Sequence, residues 1–425
     1  MMDANTDANT ITEAPAVPMP VPIPDLPATD LPATDDGRIP VTLLTGFLGA
    51  GKTTLLNHLV QQQEFAGTAV LINEFGAIGI DHHLVQHVGE TLVLLESGCI
   101  CCAVRGDLVA ALKDLHEKLS RRQISAVRRV VIETTGLADP VPVVWTLMEE
   151  RFISTRFRCD GVVSVVDASL GAAQLDAHQE ARRQVALADR IVISKPDLAD
   201  RSAREALEAR LAALNPSAPR MTVSHGTLAP DWVTGAGIYA AAERTSRFAA
   251  WLGTEEAPAA RHDDSLATFT LHFDRPVPWR GFCVALGGLL NDHGDHILRL
   301  KGLTNVAGAE GPVVVQAVGR VAYPVVRLPR WPGHTGRFDR GRFDMRGRLV
   351  FITQHLSQDQ EADIRQRLAF LPDDAAALRA AATTPLLPTR CWLGARMPVV
   401  GRGGFETDGW RIQPLRLGAG SAIPA

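Results

Sequence analysis

Gly46-Phe47-Leu48-Gly49-Ala50-Gly51-Lys52-Thr53 fits G-x-x-x-x-G-K-T, a spacing whose chemistry is phosphate binding. In that pattern backbone N–H groups cradle the phosphates, Lys52 reaches the β- and γ-phosphates, and the Thr53 hydroxyl can ligate Mg²⁺; Thr54 follows on the same turn. Further along, Cys99-Ile100-Cys101-Cys102 sets thiols too close together for mutually paired structural disulfides. Thiolates are soft ligands that suit Zn²⁺, with Co²⁺, Cu⁺ and iron as competitors, and Cys99, Cys101 and Cys102 can converge on one ion from a single short loop. Such a trio leaves a coordination position open, which suits an ion that is handed on better than a structural one.

Glu133-Thr134-Thr135-Gly136 ends an apolar run, and a carboxylate so placed before a glycine suits a second-shell Mg²⁺ acceptor with a backbone amide near the γ-phosphate. Ser194-Lys195-Pro196-Asp197 resembles the Asn-Lys-x-Asp base-reading motif of GTPases. Asp197 can accept from the guanine N1–H and exocyclic amine, a pattern adenine lacks, while the Lys195 stem covers the base. Guanine is therefore favoured, although Ser194 in place of Asn removes an amide and weakens discrimination against ATP. Asn73-Glu74-Phe75-Gly76 and Asp81 suit a switch loop whose carboxylates meet Mg²⁺ or the attacking water only when the γ-phosphate is present. His82, His83, His293 and His296 read as surface residues, and Cys159, Cys283 and Cys391 as isolated packing cysteines.

These motifs need strands to carry them. Short β-rich runs lie at Val41 to Leu44, Thr68 to Ile72, Thr91 to Leu95, Arg129 to Ile132, Gly161 to Val166 and Arg190 to Ile193. Helical stretches separate them, among them the stripe Leu55, Leu56, Leu59 and Val60 and a segment from Asp107 to Leu119. The alternation predicts an α/β fold, a mostly parallel sheet flanked by helices on both faces, with ligands at the carboxyl ends of the strands. A second block, residues 265–371, reads as a smaller α+β domain. Its expected strands are Ala267 to Phe273, Ile297 to Leu303, Val313 to Val318 and Leu349 to Thr353, and its expected helices Trp279 to Leu290 and Gln358 to Phe370. The expected organisation is an arm over residues 1–38, a nucleotide-binding domain over 39–225, a weakly periodic linker over 226–264, the second domain, and a tail over 372–425 that carries no readable pattern.

The chain has 425 residues, of which 46% are hydrophobic, enough to bury the cores of two domains. The arm is rich in Pro, Ala, Asp and Thr, with Asp3-Ala4-Asn5-Thr6 and Leu26-Pro27-Ala28-Thr29-Asp30 each repeated in tandem, a composition that cannot offset its own ordering entropy. A net charge of −4 gives no broad basic field, so nucleic acid is not expected as a partner. No apolar run of about eighteen residues and no secretory leader is evident, so neither membrane span nor export is expected and the expected compartment is cytoplasmic.

Taken together, GFLGAGKTT, NEFG followed by Asp81, Gly98-Cys99-Ile100-Cys101-Cys102, ETTGLADP and the SKPD variant resemble the CobW-type metallochaperone P-loop GTPases, relatives of the urease and hydrogenase nickel-insertion GTPases. The similarity continues into Leu298-Arg299-Leu300-Lys301-Gly302 and Phe351-Ile352-Thr353-Gln354. The resemblance implies binding of GTP and GDP with Mg²⁺, slow hydrolysis, and delivery of a transition metal, most often Zn²⁺ and in some relatives Co²⁺ or iron, to a client metalloprotein; it allows a homodimer. On that basis Lys52, Asp81 and Glu133 are expected to serve catalysis, and Thr53, Glu133 and Asp81 to serve Mg²⁺. Gly46, Gly49, Ala50, Gly51, Lys52, Thr53, Thr54, Gly136, Ser194, Lys195 and Asp197 are expected to hold nucleotide. Cys99, Cys101 and Cys102, with Glu74 as an oxygen donor, are expected to hold the transported metal. Asp81, Glu133 and a water held by backbone are all compatible with the role of base. Two other readings stand beside this one: a GTP-dependent switch or scaffold with structural or redox cysteines, and a cobalt or iron insertion factor for cobalamin synthesis or nitrile hydratase maturation.

Overall fold

The computed structural model describes residues 37–72, 93–96, 104–124, 126–237, 260–261, 266–328, 346–384 and 387–393, with positions 331 and 397. The first unit is built on β1 (Ile39–Gly46), α1 (Lys52–Val60), β2 (Thr68–Ile72), β3 (Val93–Glu96), α2 (Val104–Ser120) and β4 (Arg129–Glu133). It continues through α3 (Val141–Glu149), α4 (Arg151–Ser154), β5 (Phe157–Asp167), α5 (Gly171–Ala177), α6 (Gln179–Leu187), β6 (Arg190–Ser194), α7 (Arg201–Leu214) and β7 (Arg220–Thr222). Its strands form one sheet in the order β3-β2-β4-β1-β5-β6-β7, and every pairing in it is parallel.

Why these strands read as continuous apolar runs is visible in the two cores. On β1, Leu43 points into a core with Leu108, Leu112 and Leu115 of α2, while its neighbour Leu44 points into the opposite core with Leu55, Leu56 and Leu59 of α1. On β4, Val130 and Ile132 go one way and Val131 the other. Helices on both faces leave no solvent side, so alternation between polar and apolar disappears. Residues 228–237, weakly periodic in sequence, pack on this unit as well: Leu228, Val233 and Ala236 join the α1 core, and Arg190 donates to the carbonyls of Asp231, Trp232 and Gly235.

The second unit pairs β8 (Ala260–Arg261), β9 (Leu266–Phe273), β10 (Ile297–Thr304), β11 (Val313–Val318), β12 (Val321–Ala322), β13 (Val326–Arg327) and β14 (Gly347–Gln354). The order is β12-β11-β10-β14-β9-β8, with β13 on β11, and the pairings are antiparallel. Its helices are α8 (Trp279–His293), α9 (Gln358–Ala369), α10 (Asp374–Thr383) and α11 (Arg390–Leu393). The last two belong to the tail that the sequence left unread, yet they are integral: Leu387, Trp392 and Leu393 lie in the same core as Trp279, Phe282 and Leu286. Trp279 Nε1 donates to the Trp392 carbonyl at 2.9 Å, and Trp392 Nε1 donates to the Tyr323 carbonyl at 2.7 Å.

The two units share a buried seam. Leu266, Leu298, Val318, Tyr323 and Ile352 of the second enter the core of the first, and Trp145 Nε1 of α3 donates to the Val318 carbonyl at 3.0 Å. At its centre Asp189 accepts from the Val162 amide and pairs with Arg299 and, at 3.0 Å, with Lys301. Burial and the adjacent Arg299 push the Lys301 ammonium down to about 7, whereas for Asp189 the two cations outweigh burial and hold the carboxyl below its ordinary range. No helix among the described residues is long and apolar enough to cross a membrane.

Candidate functional site

The phosphate-binding stretch forms the turn between β1 and α1 at the carboxyl edge of the first sheet. Gly46, Gly49 and Gly51 all have positive φ, and a Cβ on Gly46 would strike the Val165 carbonyl, so glycine there is a steric requirement as well as a conformational one. Gly51 is the N-cap of α1 and offers no side-chain cap, which leaves the first N–H groups of that helix pointing into the loop. Lys52, only 8% exposed, donates from Nζ to the carbonyls of Gly46 at 2.9 Å and Phe47 at 3.3 Å, so its ammonium is held over the loop.

Thr53, on the first turn of α1, donates from Oγ1 to Glu133 Oε1 at 2.8 Å. Glu133 ends β4 and is 2% exposed. A hydroxyl and a carboxylate converging beside a helix N-terminus form a hard-oxygen donor set, and that set fits Mg²⁺. The chain then turns, with the Thr134 amide donating to the Leu44 carbonyl and Thr134 Oγ1 to Thr45 Oγ1 at 2.9 Å. Gly136 follows, so close to the phosphate loop that a Cβ would lie 2.6 Å from the backbone of Leu48.

Ser194, the last residue of β6, and Lys195, just after it, reach the same loop from the other side. Ser194 Oγ donates to the Ala50 carbonyl at 2.6 Å, and Lys195 Nζ to the Gly49 carbonyl at 2.6 Å. Ser194 therefore ties the end of β6 to the phosphate loop through its hydroxyl. Exposed Asp197 stands at the rim. A cavity of about 250 Å³, lined by Gly51, Thr54, Ser194, Lys195, Asp197, His225 and Gly226, opens between them.

Two parts of this arrangement were not read from the sequence. Asp167, at the end of β5, accepts from the Ser169 amide and hydroxyl and, at 2.7 Å, from Lys195 Nζ. Burial alone would raise its carboxyl, but these hydrogen bonds outweigh burial and keep it low and charged. His225 and Gly226 form the far wall, both at positive φ, and a Cβ on Gly226 would lie 3.0 Å from the Thr54 carbonyl. Position at the carboxyl end of a strand was the available signal for both.

The remaining expected residues divide simply. Glu74, Asp81, Cys99, Cys101 and Cys102, with His82 and His83, lie outside the described residues. The strand that leads toward the cysteines is described: the β3 terminus Glu96 pairs with Ile72, which pairs on its other side with Glu133. Among the described residues no group of three or more His, Cys, Asp or Glu side chains could hold a metal ion. His293 pairs with Asp363 and His296 with the Gln354 carbonyl, and Cys159 and Cys283 are buried packing residues.

Comparison with known proteins agrees over both units. The family description "CobW/HypB/UreG, nucleotide-binding domain" matches residues 40–222, and "Cobalamin synthesis protein cobW C-terminal domain" matches residues 266–370. The zinc chaperone YjiA of Escherichia coli K12 is 34% identical over 287 residues, 67% of this chain and 87% of that protein. The zinc chaperone CobW of a Sinorhizobium species is 30% identical, over 67% of this chain and 86% of that one. The crystal structure of Zn(II)-bound YjiA GTPase from E. coli aligns with a TM-score of 0.58 at 29% identity, covering 79% of this chain and 99% of that one. With the glycine turn, the Thr53–Glu133 pair and the antiparallel second domain in place, the chain belongs to the CobW/HypB/UreG family of P-loop nucleotide-binding proteins.

Proposed function

We propose that the protein is a GTP-hydrolysing metallochaperone that binds a transition metal, zinc foremost, at Cys99, Cys101 and Cys102 with Glu74, and passes it to a client metalloprotein. The observation that carries this reading is the strand register. Glu96, Ile72 and Glu133 lie in one row across β3, β2 and β4, so the strand end that precedes the cysteines in sequence is two strand spacings, about 10 Å, from the backbone of Glu133. The names of the zinc-chaperone relatives support the choice of metal.

In this reading the glycine turn binds the phosphates through its amides, Lys52 neutralises the β- and γ-oxygens, and Asp197 with Lys195 selects guanine. Thr53, Glu133 and Asp81 would hold Mg²⁺, which supplies charge neutralisation to the transferring phosphoryl group. The Gly136 amide, on a turn packed against the backbone of Leu48, would donate to a γ-phosphate oxygen. Loss of that oxygen would release the loop after Glu133, and the row Glu133–Ile72–Glu96 would carry the change to the end of β3, the strand that precedes the cysteines in sequence. A coupling of about 1 to 3 kcal/mol would alter metal affinity roughly 5- to 150-fold, enough to bias transfer between two thiol-rich sites.

Zinc affinity measured by chelator competition with GDP and with a non-hydrolysable GTP analogue tests the coupling. Different affinities are expected, and their loss when Cys101 and Cys102 are replaced by Ser; equal affinities in the unaltered protein would remove the coupling.

A further inference from the structure

Helix α6 lies between the phosphate side of the first sheet and the second domain, and two consecutive residues on it hold the loop that carries Gly136. Gln184, 1% exposed, donates from Nε2 to the carbonyls of Gly136 at 3.0 Å and Ala138 at 3.1 Å. Arg183 donates from Nη1 to Asp139 Oδ2 at 2.6 Å and from Nε to Gln354 Oε1 at 2.9 Å. Gln354 is the last residue of β14, in the second domain. The same helix is gripped at both ends: the ring of His178, its N-cap, stacks on Phe47 of the phosphate loop at 4.5 Å, and Arg299 of β10 donates to the Leu187 carbonyl.

We propose that Arg183 is a positioning residue for GTP hydrolysis: it fixes the loop following Glu133 through Asp139 and, through Gln354, makes that fixation depend on the second domain. The inference rests on the GTPase reading given above. Among the described residues the hydrogen bonds of the Arg183 side chain go to Asp139 and Gln354 and none to the phosphate loop, so its action is through Asp139.

Two observations separate this role from simple stabilisation. The Arg183–Asp139 pair is about one-third exposed on each side, and a pair so open to water adds little to folding stability. Gln354, by contrast, is 3% exposed, and its Nε2 has no hydrogen-bond partner among the described residues. If packing were its only task, an apolar side chain of that size would serve better than a buried amide left half satisfied. Its described side-chain partner is Arg183. A guanidinium can hold a carboxylate and an amide oxygen at once through different nitrogens, whereas an ammonium is a point charge that cannot span both.

The test uses the full chain and compares kcat for GTP with GDP affinity in Arg183→Met, Arg183→Lys, Gln354→Leu and the Arg183→Met/Gln354→Leu double variant. Arg183→Met should lower kcat about tenfold with GDP affinity unchanged within about twofold, the split expected when an interaction serves the reacting state alone. Arg183→Lys and Gln354→Leu should each lower kcat about threefold, because both keep a cation beside Asp139 and lose the second anchor. The double variant should match Arg183→Met. Unaltered kcat in Arg183→Met, full multiplication of the two effects, or losses that follow GDP affinity would each overturn the inference while leaving the GTPase reading intact. An unaltered protein that turns over no GTP would remove both.

Discussion

The Thr53 hydroxyl and Glu133 Oε1, from the start of α1 and the end of β4, meet at 2.8 Å beneath the phosphate loop. The relationship makes Glu133→Gln an informative substitution. Glutamine can still accept from Thr53, so folding and metal-free GDP binding should persist, while the charge that would face Mg²⁺ is gone. Hydrolysis is expected to fall about 10²-fold, and the Mg²⁺ concentration needed for half-maximal rate to rise about tenfold or more. Steady-state rates across a Mg²⁺ titration check this; a variant with unaltered rate and Mg²⁺ dependence would take Glu133 out of the reaction.

Asp197 stands at the rim of the 250 Å³ cavity and is expected to select the base. A carboxylate accepts twice and so matches the N1–H and amine of guanine; an asparagine offers one acceptor and one donor, which matches the N1–H and carbonyl of xanthine. Asp197→Asn should therefore weaken GDP binding by about ten- to a hundredfold, since hydrogen bonds to a charged group contribute about 1.5–3 kcal/mol, and should favour XDP. Displacement of a labelled nucleotide by GDP, XDP and ATP reads the outcome. ATP competing as well as GTP in the unaltered protein would contradict the assignment.

Legibility in the sequence followed distance along the chain. The glycine turn could be read because strand, loop and helix are contiguous and each glycine answers a local need, as Gly46 does against Val165. Ser194 was read as a weakened motif because sequence shows the missing amide but not the Ala50 carbonyl that its hydroxyl finds. Asp167, Arg183 and Gln184 were silent because their partners Lys195, Asp139 and Gly136 lie on other elements and nothing local marks the pairing. The stretch after Gly226 read as a junction for want of periodicity; its residues to 237 are fixed by Arg190 and Asp160 of the sheet, contacts without a sequence signature.

The tail shows the same limit in a testable form. Helix α10 is alanine-rich and projects no strong stripe, and its place is set by single residues: Asp374, fully buried, accepts from the Arg280 amide at 2.9 Å. Trp392 fills the core beside Trp279 with ring centroids 6.0 Å apart. Trp392→Ala should cost about 3–5 kcal/mol, as large-to-small changes in a packed core do, and a chain ending at residue 371 should lose more. Thermal unfolding followed by two probes measures both; a shortened chain that melts with the full one would show that the tail contributes nothing to the second core.

Asp160 gives the fold a pH dependence opposite to that of most carboxylates. It is buried in β5, where Oδ2 accepts from the Gly235 amide at 2.7 Å. Burial raises its pKa to about 6 from an ordinary 3.8, against the pull of the Gly235 N–H and of Arg158, Arg190 and Arg129. Between those values the folded chain keeps a proton that the unfolded chain has released. The contribution is therefore complete below about pH 4 and lost as the pH rises through 6, an order-of-magnitude change of about 3 kcal/mol. Asp189 and Asp167, both held low, work the other way and lose their contribution as the pH falls, so a raw stability curve mixes the two signs. Asp160→Asn isolates one of them: the amide oxygen can still accept from Gly235 and carries no proton equilibrium. Unfolding free energies of the two proteins from pH 4 to pH 7 should show the unaltered chain losing ground to the variant as the pH rises, and a constant difference would mean that Asp160 titrates as an ordinary surface carboxylate.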